Sequence, residues 1–238
     1  FSFRLSHMLL LLAWAARVTA SPEVEWQCYS AYVRAVSAVS TNKNIKKWVH
    51  RHNDLDRFLQ RRAAVRKRSR PHTSPRTQPF VLGGGFGSTG TTSLHNALIL
   101  MNITTWHAGS GQHFRDGDAD TPLISPDGFR SHIMGAWFLK NASLCDEVLD
   151  RVSYNPPAAV EAAIDRPTAE AFLDFYWANS GALVVLTRRP GLRWAASRRA
   201  RFKSGINLPV DRPCGLHLAD ANDNKTARLL ELHDELVQ

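Results

Sequence analysis

The run Gly83-Gly84-Gly85-Phe86-Gly87-Ser88-Thr89-Gly90-Thr91-Thr92-Ser93, entered from the apolar Phe80-Val81-Leu82, constrains this chain more than any other stretch. A short apolar strand that passes into glycines and then into the helical pattern Thr91 to Met101 is a strand–turn–helix unit. Glycines let the backbone turn tightly and present successive N–H groups to an anion. The helix N-terminus adds a partial positive charge, worth about 0.3–1 kcal/mol for each negative group beside it. The hydroxyls of Thr91, Thr92 and Ser93 add donors to that first turn. The physical expectation is a phosphate or sulfate site; the structural alternative is an ordinary strand-to-helix turn.

The sequence after the loop keeps this texture. Val160–Ile164 and Ala182–Thr187 read as buried strands, and Thr168–Trp177 and Gly191–Lys203 as helices. Strands alternating with helices predict an α/β fold, a three-layer parallel sheet with its ligand at the carboxyl ends of the strands.

Three known loops fit the glycine string. Gly85, Gly87 and Gly90 satisfy the dinucleotide pattern GxGxxG, but the ribose-binding acid expected about 20 residues later is missing. Thr104-Thr105-Trp106-His107 fills that region, and the next acid is Asp116. Gly85 to Gly90 also matches the GxxxxG of a triphosphate-binding loop, but Thr91 stands where that loop needs lysine. The third match is the best. Gly-Phe-Gly-Ser-Thr-Gly-Thr-Thr-Ser-Leu after an apolar strand resembles the 5′-phosphosulfate loop of sulfotransferases that use 3′-phosphoadenosine 5′-phosphosulfate (PAPS), a family with a P-loop-like nucleotide site. The resemblance implies that Gly87, Ser88, Thr89, Gly90, Thr91, Thr92 and Ser93 hold the 5′-phosphosulfate. Ser88 falls where that family usually carries Lys or Arg, a departure that bears on activity.

A second segment carries the resemblance further. Ala182–Thr187 runs into Arg188-Arg189-Pro190, with Trp194 and Ser197 beyond, and resembles the family's strand–Arg–Asp–Pro–Trp–Ser segment. There an Arg and a Ser about eight residues later grip the 3′-phosphate. Arg188 suits the Arg-X-Pro context and Arg189 the spacing to Ser197, and either guanidinium can converge with a hydroxyl on one phosphate. Asp165-Arg166-Pro167 and the late helix Leu229–Val237 extend the resemblance over residues 79–238. In the branch with that late helix a further strand and helix follow, so residues 79–238 read as a C-terminally truncated domain.

Sulfuryl transfer to a hydroxyl or amine releases a proton, so a base beside the loop is expected. His107, just after a second strand, is the first candidate, Asp165 the second and His132 the third. The chemistry requires no metal, because amides and cations can stabilise the departing nucleotide. No Cys–His spacing resembles a zinc site.

Charge enters the argument through its position. Of a net +9, residues 41–78 alone carry +10, and the seven Arg/Lys from Arg188 to Lys203 carry +7, which leaves −8 elsewhere. That distribution argues against nucleic acid as a partner; residues 41–78 read as the solvated face of a stem or tether, with contact to a polyanion or an anionic membrane as the alternative. Ile45, Trp48, Val49, His52, Leu55, Phe58 and Leu59 recur at helical spacing, which predicts one amphipathic helix in a basic stem over 21–78, ending in a linker at 69–79. Residues 1–20 read as a signal peptide or the remnant of a signal-anchor. Together with sequons at Asn102, Asn141 and Asn224 they predict the secretory pathway, in the Golgi lumen or secreted. Asn102, following an apolar helix, is expected to be buried. Three cysteines (Cys28, Cys145, Cys214) allow one disulfide and a spare thiol.

The function implied by the resemblance is sulfuryl transfer from PAPS to a carbohydrate or small-molecule acceptor. Two alternatives stand beside it: a non-catalytic relic of the fold that binds PAP (the 3′-phosphorylated product) or a polyanion, and another phosphate-loop nucleotide enzyme of kinase type.

Overall fold

The computed structural model describes residues 21–39, 43–68, 79–107, 154, 160–165, 168–169, 171–179, 181–201, 207–208, 216–217 and 222–238. The expected signal segment, the linker at 69–78, His132, Asn141, Cys145 and Cys214 lie outside the described residues. Cys28 is a half-buried free thiol.

Among the described residues three helices come first: α1 (Pro22–Val39), α2 (Lys43–His52) and α3 (Leu55–Arg68). Then follow β1 (Val81–Gly83), α4 (Thr91–Leu100), β2 (Thr105–His107), β3 (Ala162–Ile164), α5 (Phe172–Ala178), β4 (Leu183–Val185) and α6 (Gly191–Arg201). A short β5 (Asn207–Leu208) and β6 (Leu216–His217) precede α7 (Asp223–Val237).

The first four strands form one all-parallel sheet in the order β2-β3-β1-β4. The α/β expectation therefore holds at the level of a small parallel sheet with helices. Strand register explains how the sheet is covered, because successive side chains point to opposite faces. Ala162 and Ile164 pack with Val81 and with Leu94 and Leu98 of α4. Leu82, Ala163 and Val184, one residue out of phase, join the larger core built by α1, α3, α5 and α7.

That larger core corrects the expected stem. Tyr29, Tyr32, Val33, Val36 and Val39 line one face of α1 and are buried, and α1 packs along α7. Phe58 and Val65 of α3 are buried, and Phe58 meets Trp177 of α5 edge-on at 5.2 Å. The helices α1, α2 and α3 thus share the core of the α/β fold and do not stand off it. Their basic face is also partly consumed. Arg61 is held bidentately by the fully buried Asp174, with Nε to Oδ1 at 2.9 Å, and Arg62 donates to Glu25 at 3.0 Å.

The predicted continuous helix through Ile45–Leu59 is broken at Asn53-Asp54. Asp54 Oδ1 accepts from Arg57 N at 3.0 Å, so it caps a new helix, while Asn53 Oδ1 accepts from Ser30 on α1. Asn102 is likewise corrected. It is exposed, in a left-handed turn (φ 59°) that ends α4, a conformation asparagine tolerates.

Candidate functional site: the loop after the central strand

β1 lies between β3 and β4, so the glycine loop emerges at the middle of the sheet's carboxyl edge. Asp165 follows β3 on one side of it and Thr187 follows β4 on the other. The first three glycines answer to packing. A β-carbon at Gly83 would stand 2.5 Å from Ile164 Cγ2, one at Gly84 3.0 Å from Val237 Cγ2, and one at Gly85 2.7 Å from the Thr187 carbonyl oxygen. Three elements close on the strand from three directions, and any side chain there would force them apart. His233 of α7 fixes the exit of the strand. Its Nε2 donates to the Gly84 carbonyl at 2.7 Å, and its ring stacks on Phe86 with centroids 3.7 Å apart.

Beyond Phe86 the backbone takes two left-handed residues, Ser88 (φ 76°) and Gly90 (φ 119°). Glycine adopts this region freely, whereas serine there is strained and must be held. It is held from three sides. The Thr89 hydroxyl donates to the Phe86 carbonyl at 2.6 Å and meets the Thr187 hydroxyl at 2.8 Å. Trp194 Nε1 donates to the Gly87 carbonyl at 3.0 Å, and Arg189 Nη1 to the Ser88 carbonyl at 3.2 Å. Thr91 begins α4 and is buried, while Thr92 and Ser93 are exposed. Gly90, at the cap position, offers no side-chain acceptor, so no side chain caps the first amides of α4.

Sequence spacing left Arg188 and Arg189 as equal partners for Ser197. In the structure Arg189 Nη1 also donates to Ser197 Oγ at 3.2 Å, which brings that pair together against the loop. Arg188 turns the other way, to Asp234 Oδ2 at 3.3 Å. Burial pushes the Asp234 carboxyl up to about 6 despite that cation, and burial pushes His233 down to about 4.

His107 and Asp165 do meet at the carboxyl edge, with His107 Nε2 3.4 Å from Asp165 Oδ2. Parallel pairing of β2 with β3 places them, since His107 is in register with Ile164. Asp165 is left-handed (φ 62°), and its Oδ1 is buried without a hydrogen-bond partner among the described residues. The same carboxylate borders Gly87, 3.1 Å from the point where a β-carbon would stand. Burial lowers the pKa of His107, Asp165 opposes that, and a second histidine adds to it. That second histidine is His95, a buried α4 residue whose ring stacks on His107 at 4.7 Å. Sequence reasoning missed His95. The available signal was its position four residues after Thr91, on the same face of the helix. Among the described residues, no group of three or more His, Cys, Asp or Glu side chains is arranged to hold a metal ion.

Comparison with protein-family models, with curated proteins and with solved structures finds no match. Away from the glycine loop, a cleft of about 910 Å³ lies against α3, lined by Tyr29, Arg57, Phe58, Arg61, Lys67 and Arg68 among others.

Proposed function

We propose that the chain is a PAPS-dependent sulfotransferase of P-loop-like, three-layer architecture, acting on a hydroxyl or amine of a carbohydrate or small-molecule acceptor. One observation carries this reading: a glycine loop at the centre of a parallel sheet with an Arg189–Ser197 pair hydrogen-bonded to its edge. An uncapped helix start and a guanidinium–hydroxyl pair are the donors that a doubly phosphorylated nucleotide needs at its two ends. The strand order argues against the dinucleotide alternative, since β1 is flanked by β3 and β4, whereas that fold sets β1 beside β2.

In this proposal the 5′-phosphosulfate lies over Gly87–Ser93 and the 3′-phosphate lies at Arg189 and Ser197. The acceptor approaches from the β2–β3 side. His107, kept neutral by burial, takes the acceptor's proton, and Asp165 steadies the imidazolium that results. The acceptor oxygen or nitrogen bonds to sulfur as the bond from sulfur to the bridging phosphate oxygen breaks, and PAP leaves with that electron pair. The basic residues of α2 and α3, with the cleft beside them, suit contact with a polyanion or an anionic membrane, and the proposed setting is the secretory pathway. No helix among the described residues is long and apolar enough to cross a membrane.

Transfer of labelled sulfate from PAPS to a panel of glycans tests the proposal, with Thr91→Ala as control. Labelled product from the wild type that falls at least tenfold in the variant supports it. A second reading has its own observation: the loop from Gly83 to Ser93 contains no cation, which suits a PAP-binding module without activity. PAP binding with no acceptor ever labelled would favour that module.

A further inference from the structure

The loop carries no cation of its own, and it is bordered by the carboxylate of Asp165. A dianionic group resting there needs positive charge from another element. We propose that Arg198, on α6 immediately after Ser197, supplies it and contacts the 5′ end of the bound nucleotide. The assignment rests on the nucleotide reading of the loop.

Arg198 is 3% exposed, unusual for arginine without a specific environment. Its guanidinium lies over the Trp194 ring, 5.8 Å from the centroid, as expected for residues four apart on one helix face. Trp194 in turn donates to the Gly87 carbonyl, so the platform that holds Arg198 is tied to the loop itself. Arg198 Nη1 reaches to 3.4 Å from the β-carbon position at Gly87, and Asp165 Oδ1 reaches the same position from the β3 side. The buried Ser88 Oγ and Asp165 Oδ1, neither with a hydrogen-bond partner among the described residues, mark unsatisfied polar groups beside Gly87. A purely structural arginine that balances Asp165 would stabilise the fold without distinguishing one phosphate from another. An arginine serving the loop distinguishes the 5′-phosphate from the 3′-phosphate.

Calorimetric titration of the full chain with PAP, 5′-AMP and 3′-AMP separates the cases. Arg198→Gln is expected to weaken PAP and 5′-AMP roughly tenfold to a hundredfold, the scale of one charged hydrogen bond, and to leave 3′-AMP within about twofold. Adding Ser88→Lys to Arg198→Gln, which places a cation on the loop, is expected to restore most of the loss. If Arg198→Gln does not fold by circular dichroism, Arg198→Lys is used, with a smaller loss confined to the same two ligands. Unchanged PAP and 5′-AMP affinity in a folded variant, or an equal loss for all three ligands, overturns the assignment. Wild-type protein that binds no PAP refutes the nucleotide reading itself, and the assignment falls with it.

Discussion

Two neighbouring residues on α7 show how much chemistry a buried helix face can hold. His233, fully buried and bonded to the Gly84 carbonyl, stays neutral until about pH 4. Between its ordinary value near 6.5 and 4, the unfolded chain takes up a proton that the fold refuses, so stability falls as pH falls. Asp234 works in the opposite sense. Between about 6 and 3.8 the fold keeps a proton that the unfolded chain releases, so stability rises as pH falls through that window. The two largely offset each other. Asp234→Asn removes one of them, and its stability is expected to drop more steeply than wild type from pH 6.5 to 4 in chemical denaturation. Parallel pH profiles would contradict that linkage. At the opposite end of the site, His107→Gln is expected to cut sulfuryl transfer about 10²-fold or more while PAP affinity stays within twofold. The acid limb of the wild-type rate should lie below pH 6.5, because burial lowers the imidazole pKa. A variant that turns over normally assigns the proton to another group. Of these residues, His107 and Asp165 were legible from their places at strand ends. His95 and His233 were not, because each meets the site through helix packing that spacing alone does not disclose.

Elements were more legible than their relations. The apolar run into glycines gave β1 and α4, and the buried runs near 162 and 183 gave β3 and β4, since hydrophobic periodicity is a local property. In sequence the three glycines at 83–85 suggest an anion loop, yet their missing side chains admit Ile164, Val237 and Thr187. Close approach of distant elements leaves no mark in the glycines themselves. The basic N-terminal helices mislead in the same way: arginines that look solvated in sequence include Arg61, whose partner Asp174 lies 113 residues away. That pair gives a prediction at this scale. Asp174→Ala leaves Arg61 without its carboxylate between Tyr29 and Trp177, and is expected to cost about 3–5 kcal/mol in urea denaturation. Arg61→Met with Asp174→Leu should recover much of it, because paired apolar residues avoid the desolvation of both ions. A loss below about 1 kcal/mol in the single variant would show that α3 is not anchored to α5 by this contact.

Across the whole molecule, the net +9 resolves into local roles. Part of the positive charge on α3 is spent in ion pairs with the core, and part faces the cleft beside it. In the second concentration, from Arg188 to Lys203, Arg188 pairs with Asp234 and Arg189 meets the loop carbonyl just before α6, while on α6 Arg198 is buried and Arg199 pairs with Asp223. α6 also packs closely along α7, where a β-carbon on Gly191 would stand 2.9 Å from that of Ala227, and α7 in turn holds the Gly84 carbonyl through His233. The loop held beside these helices is the proposed anion site, and its occupancy is the central claim. Thermal unfolding in the presence of PAP tests it most directly, with ATP and NAD at equal concentration as controls. At a hundredfold excess over Kd, PAP should stabilise the fold by about 2.7 kcal/mol, raising Tm by roughly 5–10 °C, with no comparable shift from the controls. No shift with PAP, or an equal shift with ATP or NAD, would contradict it.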